Sequence, residues 1–449
     1  MFRTSLLAGA VCLAATGFAA AQTEFPARLD GHVVIPAETF IAVPADAPSD
    51  LKTSGKYAAS PLRVDALGSV EGLSGGRPTG VKYPFQGQPI QGHSGIETMP
   101  DGSFWVITDN GFGSKITSPD SALYLNHWRF DWKSGKAEHL GTIFLSDPMK
   151  KVPFRIVHED TAQRYLTGAD FDLEGFQIVG DKIWIGEEFG PYLLKVDMTG
   201  KVEKVFETQA DGKPVRSPDH YAVVAPNPGQ TVPTVNAKRS KGFEGFASSK
   251  DGKFIYGLLE GPLWNAEKKA FEEVDGRQAL RILEFSVAEE KWTGRHWFFP
   301  LETDAASIGD FNMIDATTGL IIERDDREGT ADKACPAGTK APTCFADPAK
   351  FKRIVKIEMT DANVGKAVRK IGFIDLMKIQ DPAKIARKPL TDGVLTFPFF
   401  TIENVDVVDR THIVVGNDNN LPFSSSREPN RADDNEFVLL DVEALLAAK

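Results

Sequence analysis

Apolar positions along the chain fall in short runs, β-branched or aromatic, bounded by Gly and Asp. Lys182-Ile183-Trp184-Ile185-Gly186 follows Gly180-Asp181, and Phe254-Ile255-Tyr256-Gly257-Leu258-Leu259 follows Asp251-Gly252-Lys253. Runs of this length with such boundaries predict strand–turn–strand units. Two further runs follow each pair: Ala122–Leu125 and Gly141–Leu145, then Tyr192–Asp197 and Lys201–Phe206, then Arg281–Phe285 and Arg295–Phe299, then Arg353–Ile357 and Val368–Ile374. The last unit shows one such run, Phe437–Asp441. Four strands per unit, repeated at long period, predict an all-β β-propeller of four-stranded blades. Five units are clear, and the stretches 22–60 and 208–240 leave room for a sixth. The short last unit calls for an N-terminal strand to close the ring, and residues 62–67 are the expected one, since closure removes exposed sheet edges. Residues 33–35 and 40–43 read as a separate strand pair. Helical periodicity is confined to 375–384 and 441–448.

An acid recurs at matching points of these units. Asp172-Leu173-Glu174-Gly175-Phe176 returns as Gly242-Phe243-Glu244-Gly245-Phe246, with looser copies at Ser94–Glu97, Ile308–Phe311 and Thr401–Asn404. The first acids are Glu97, Glu174, Glu244, Asp310 and Glu403; a second set follows 12 to 16 residues later at Asp109, Glu187, Glu260, Glu323 and Asp418. Radial repetition brings equivalent positions together around a central channel, so two layers of carboxylates are expected there. Crowded carboxylates raise one another's pKa, and a hard divalent cation relieves the repulsion. Calcium suits such a site because it accepts many oxygen ligands in flexible geometry. The expected ligands are Asp109, Glu174, Glu244, Glu260, Glu323, Glu403 and Asp418. The bland alternative is that acid–glycine phrases only cap turns.

At 449 residues, 42% hydrophobic and 25% charged, the chain has the composition of an ordinary globular protein. Its net charge of −11 argues against nucleic acid as a partner. Arg3, the apolar stretch Leu6–Ala15 and the small residues Ala19-Ala20-Ala21 read as an export signal over residues 1–21. The apolar stretch is too short to span a bilayer, and bulky Val11 before Cys12 disfavours a lipid anchor. Residues 22–60 read as an N-terminal arm and 61–449 as the propeller domain. The exported chain, periplasmic or extracellular, retains Cys335 and Cys344, which are expected to form a short-loop disulfide. A monomer is expected.

The series SGIE, DGSFWVITDNG, DLEGF, KIWIGEE, KGFEGF, DGKFIYGLLEGPL, LIIERDD, TIENVD and VVGNDNN resembles the esterase-like phytase domain of bacterial exported proteins, from about residue 90 onward. The resemblance implies a β-propeller and, by analogy with propeller phytases, calcium-dependent phosphoester hydrolysis of a small-molecule substrate. Positive groups beside the metal would then grip phosphate; the candidates are Lys115, Lys241, Arg324, Arg327 and Arg427, each next to an acidic motif. Glu187 or Glu188 would remove the proton from the attacking water. The alternatives are a non-catalytic propeller that binds a ligand or protein around a structural metal, and a sugar-lactone hydrolase. Scattered histidines, His93 and His412 among them, disfavour zinc. Gly72-Leu73-Ser74-Gly75-Gly76 has the letters of a nucleophile elbow but lacks the helix that should follow, so Ser74 reads as a turn residue.

Overall fold

The repeats build five four-stranded blades in the computed structural model, which describes residues 22–59, 62–231, 234–303 and 306–449. Blade 1 comprises His93–Thr98, Phe104–Thr108, Tyr124–Asp131 and Lys136–Phe144. Blade 2 comprises Leu173–Val179, Lys182–Glu187, Tyr192–Asp197 and Val202–Glu207. Blade 3 runs through Phe243–Ser248, Phe254–Leu259, Arg277–Ser286 and Lys291–Pro300. Blade 4 runs through Ala306–Met313, Thr318–Asp325, Lys352–Glu358 and Arg369–Asp375, with Thr23–Phe25 added in parallel at its outer edge. Blade 5 takes Ile402–Val407, His412–Asn417 and Asn435–Asp441 from the C-terminal region and its fourth strand, Arg28–Ile35, from the N-terminal region. The five innermost strands touch in order and the fifth returns to the first, so the ring is closed.

The core lies between blades rather than inside one. Because strand side chains alternate between faces, each blade offers apolar residues to both neighbours. Ile107 and Leu125 of blade 1 meet Leu173, Phe176 and Ile185 of blade 2. Trp184 and Leu193 of blade 2 meet Phe243, Phe246 and Ile255 of blade 3. Equivalent clusters join blades 3 and 4, 4 and 5, and 5 and 1.

Ring closure by an N-terminal strand holds, but the strand differs from the expected one. Residues 62–67 form no strand; Leu62 is 73% exposed and Leu67 50%. Arg28–Ile35 closes the ring instead, pairing antiparallel with Asn435–Asp441. Phe40-Ile41 pairs with Gln88-Pro89 rather than with residues 33–35. No sixth blade occurs among the described residues: 36–59 and 62–92 make two-stranded pairings over blades 5 and 1, and 208–231 holds one two-residue pairing. Residues 375–384 form turns around the short strand Ile379–Gln380, whereas 441–448 does contain a helix, Glu443–Ala447. Among the described residues no helix is long and apolar enough to cross a membrane; the expected export signal, 1–21, lies outside them. Cys335 and Cys344 are bonded, with Cα atoms 4.9 Å apart, in the blade 4 loop between its second and third strands.

Candidate metal centre

Each innermost strand carries a bulge at the same place. In blade 2 Leu173 pairs with Glu187 and Gly175 with Gly186, so Glu174 has no partner. Glu244 of blade 3 and Glu403 of blade 5 are skipped in the same way. A bulge inserts one unpaired residue and re-aims its side chain, here towards the channel axis. The following glycine permits close packing of neighbouring innermost strands: a Cβ on Gly175 would sit 2.4 Å from that of Phe246, and one on Gly245 2.6 Å from that of Phe311. The next residue, Phe176 or Phe246, turns back into the core between blades. The Glu-Gly-Phe phrase thus encodes a carboxylate in the channel, a backbone contact and a core anchor.

The same register corrects two expected layer members. In blade 1 the skipped residue is Ser94, between His93 paired with Thr108 and Gly95 paired with Ile107. Glu97 lies three residues further on and is half-buried at the opposite end of the channel, where it accepts the Ile178 N–H at 2.7 Å. In blade 4 the bulge spans Gly309 and Asp310. Gly309 takes the acid's place, with room for no side chain because a Cβ would lie 2.2 Å from the Ile402 carbonyl. Asp310 accepts the N–H groups of Phe311 and Val405 at 2.8 and 3.1 Å.

The second layer consists of the residues just past the second strand in blades 1, 2, 3 and 5, and of the matching position inside the longer second strand of blade 4. Asp109, Glu188 and Glu260 each donate a backbone N–H to the residue that precedes the neighbouring innermost strand, Gly92, Asp172 and Gly242 respectively. Asp418 occupies this position in blade 5, and blade 4 places Arg324 there. Glu187, one residue earlier, points away. Its carboxylate accepts the N–H groups of Phe189, Gly190 and Tyr192 at 3.0, 2.6 and 2.7 Å, which ties it to the turn. Glu323 is likewise off the channel, accepting from the Glu302 backbone and from Lys370 Nζ.

One carboxylate chamber results. Three groups each offer ligand atoms within 4.8 Å of one another: Asp172, Glu174 and Glu188; Glu174, Glu244 and Glu403; and Glu188, Glu244 and Glu260. Asp109 and Asp418 flank them and are partly occupied: Asp109 accepts the Gly111 N–H at 2.6 Å, and Asp418 accepts those of Gly92 and Asn420 at 2.8 and 2.7 Å. Asp172 is a chamber acid outside the expected set, although it stands two residues before Glu174 in the same acid–apolar–acid phrase. It accepts both the backbone and side-chain N–H of Asn110, at 3.0 and 2.6 Å.

Burial raises these acids first and mutual repulsion adds to it. Glu174 is held well above the carboxylate range by burial and then by Asp172 and Glu244. Glu188 rises with burial, then with Glu260 and Asp172; Glu244 rises with burial, then with Glu260 and Glu403. Glu403 and Asp418 are each pushed up to about 8, by burial and then by Asp418 and Asp109 respectively. Two cations pair with this chamber. Lys241 Nζ lies 2.5 Å from Glu260, and Arg324 reaches Glu403 at 3.3 Å and Asp326 at 2.7 Å. Calcium–oxygen distances of about 2.4 Å set ligand oxygens up to roughly 5 Å apart across the ion. The three groups fit that spacing with a wholly hard, oxygen donor set. Glu174, Glu188 and Glu244 each belong to two groups and could bridge adjacent ions.

The remaining expected substrate contacts separate. Lys115 Nζ donates to the Asp219 carbonyl at 3.1 Å and lies over the Phe189 ring. Arg427 is spent on Glu436 at 2.7 Å and on the Thr396 carbonyl at 2.6 Å. Arg327 pairs with Asp347 at 2.6 Å. Ser74 donates to Glu328 at 3.2 Å at the end of a hairpin, Val70–Ser74 and Arg77–Tyr83, with no helix after it. His93 is fully buried, without polar partners, against Phe437.

An uncharacterized secreted protein of Arthroderma benhamiae is 26% identical over 191 residues, which cover 36% of this chain and 35% of that protein. The match therefore spans about a third of the relative's length. Among solved structures, the periplasmic gluconolactonase of Pseudomonas aeruginosa is 13% identical, with 87% of this chain and 98% of that one covered and a TM-score of 0.31. The glutaminyl cyclase of Myxococcus xanthus is 10% identical over 78% of this chain and 91% of its own, with a TM-score of 0.34. Likenesses this faint carry nothing about chemistry. Residues 88–421 match the family described as "Phytase-like: Esterase-like activity of phytase", and the chain belongs to that family.

Proposed function

We propose that the protein is an exported, calcium-dependent phosphoester hydrolase whose centre is the carboxylate chamber. The observation that carries this reading is the break in the acidic ring at blade 4. There Arg324 stands where the other blades carry Asp109, Glu188, Glu260 and Asp418, beside the side-chain-free Gly309. Arg324 is buried, and its Nε has no partner. Its edge of Nε and Nη2 is thus loosely engaged and suits an anionic oxygen.

Asp172, Glu174, Glu188, Glu244, Glu260 and Glu403 would hold calcium, which when bound supplies positive charge to phosphoryl oxygens and acidifies water. Arg324 grips a phosphoryl oxygen from the blade 4 side and orients the ester. Lys241 holds Glu260 in place. Glu188, in two of the three groups and free of the backbone bonds that occupy Glu187, takes the proton of the attacking water. Export is supported by the Cys335–Cys344 bond, since disulfides persist in oxidising compartments, and by the relative named as secreted.

The test is a panel of phosphomonoesters, inositol hexakisphosphate and a sugar lactone, assayed with calcium and with chelator. Phosphate release that needs calcium, with KM raised at least tenfold by Arg324→Gln, is the expected result. Lactone opening without phosphate release refutes the reading. Calcium-dependent stability with no turnover favours the binding propeller.

A further inference from the structure

Beside the chamber, over blades 4 and 5, lies a cavity of about 400 Å³ between the Val70–Tyr83 hairpin, the turn after Asp325 and the disulfide loop. Buried Arg324 lies behind the cavity wall and contacts groups of both spaces. One guanidinium nitrogen reaches Glu403 in the chamber, the other reaches Asp326 on the cavity wall, and the Phe400 ring lies 5.8 Å from its Cζ. Resting on the phosphoester reading, we infer that this cavity receives the organic group of the ester and selects a flat, uncharged group over a polyphosphorylated one.

The lining chemistry carries the selection. Phe400, 41% exposed, and half-buried Phe423 present ring surface, and buried Phe345 closes the back. The charged groups on the wall are already paired: Arg77 with Glu328, Arg327 with Asp347, and Asp326 with Arg324. Acids outnumber bases there, since Asp326, Glu328 and Asp347 face Arg77 and Arg327. A ligand bearing several phosphates needs several uncommitted cations beside its reacting phosphate, and this wall repels it. An aromatic or similarly flat apolar group instead gains ring contact, which favours aromatic partners beyond simple area burial.

The experiment uses the full exported chain with calcium and non-hydrolysable probes. Affinities for methylphosphonate, benzylphosphonate and inositol hexakisphosphate are measured by calorimetry and as inhibition constants for phosphate release. Benzylphosphonate is expected to bind at least tenfold more tightly than methylphosphonate. Ala346→Trp, an exposed wall position, should fill the cavity and cut that advantage below threefold while methylphosphonate stays within twofold. Phe400→Ala, also exposed, provides a second variant that should fold. If methylphosphonate binds but benzylphosphonate gains nothing, or if the hexakisphosphate binds tightest and both variants are silent, the cavity assignment is overturned and the phosphoester centre stands. If none of the three binds in calcium, both readings fall.

Discussion

The carboxylate chamber makes a prediction whose sign reverses with the metal. Glu244 belongs to two of the three ligand groups, so Glu244→Gln changes one charge at nearly constant shape at the crowded centre. Two ionised carboxylates 4.8 Å apart repel by about 3.5 kcal/mol at an effective dielectric constant of 20. Closer pairs repel more, and protonating one partner relieves the repulsion. Without metal, the wild-type chain bears this strain in its folded state only, and Glu244→Gln relieves part of it. With calcium at a hundred times its dissociation constant, the folded state gains about 2.7 kcal/mol by mass action. At roughly 2.1 cal/mol/K per residue, a chain of 449 residues unfolds with an entropy of about 0.9 kcal/mol/K, so this gain moves Tm by about 3 °C. Calorimetric melts at pH 7.5, in chelator and across a calcium titration, should show the variant melting above wild type without metal and below it at saturation. A wild-type Tm that does not move between chelator and millimolar calcium refutes the metal centre. A variant that melts lower by the same amount in both conditions shows that Glu244 is only a packing residue.

Glu187→Gln should cost about 1–3 kcal/mol, since the amide cannot accept all three backbone N–H groups, and leave the calcium shift intact; Glu188→Gln should do the reverse, as paired melts with and without calcium will show. Glu97, at the far end of the channel, is pushed up to about 8 by burial and then by Asp406, against the Ile178 N–H. The folded state therefore holds a proton the unfolded chain releases near 4.5, so the stability Glu97 contributes is full below that pH and lost as pH rises through 8, at up to about 1.4 kcal/mol per pH unit. Glu97→Gln should flatten the fall of the urea midpoint between about pH 5 and 8 in chelated protein. Replacing Cys335 and Cys344 by Ser opens a short loop worth about 2–3 kcal/mol, and should lower Tm by roughly 3 °C without altering the calcium shift.

Element type was legible because the runs obey strand periodicity, and blade order because the repeats are sequential. Register was not. Ser94-Gly95-Ile96-Glu97 and Asp172-Leu173-Glu174-Gly175 look alike as letters, yet the bulge falls on Ser94 in one and Glu174 in the other, and pairing rather than composition decides it. Glu187 and Glu188 pose the same problem in two adjacent acids. Alternation requires that one face the channel and the other the turn, but only the pairing of Leu173 with Glu187 says which. The closing strand was obscured by its own bulge between Leu29 and Gly31, which interrupts the alternation of Arg28–Ile35, while the smoother 62–67 run has no sheet edge to join. The Cys335–Cys344 bond was legible because the two lie close in sequence.

The chamber is a consequence of repetition, and its chemistry a consequence of where repetition fails. Five identical blades would place ten carboxylates around one axis, more negative charge than an ion in each of the three acidic groups would neutralise. Blade 1 substitutes Ser94, which donates to Glu403 at 3.2 Å, and blade 4 substitutes both positions, Gly309 and Arg324. Gly309 removes bulk and charge on the side where Arg324 supplies a buried donor edge, and the cavity opens beside that sector. A symmetric ring of acids would offer a metal the same face from every blade. The broken ring has a direction: carboxylates from blades 2, 3 and 5, a buried guanidinium from blade 4, and a cavity beside it. On this argument, restoring the symmetry with Arg324→Glu should leave calcium binding intact or tightened while abolishing binding of methylphosphonate, and loss of both together would mean that Arg324 serves the metal site alone.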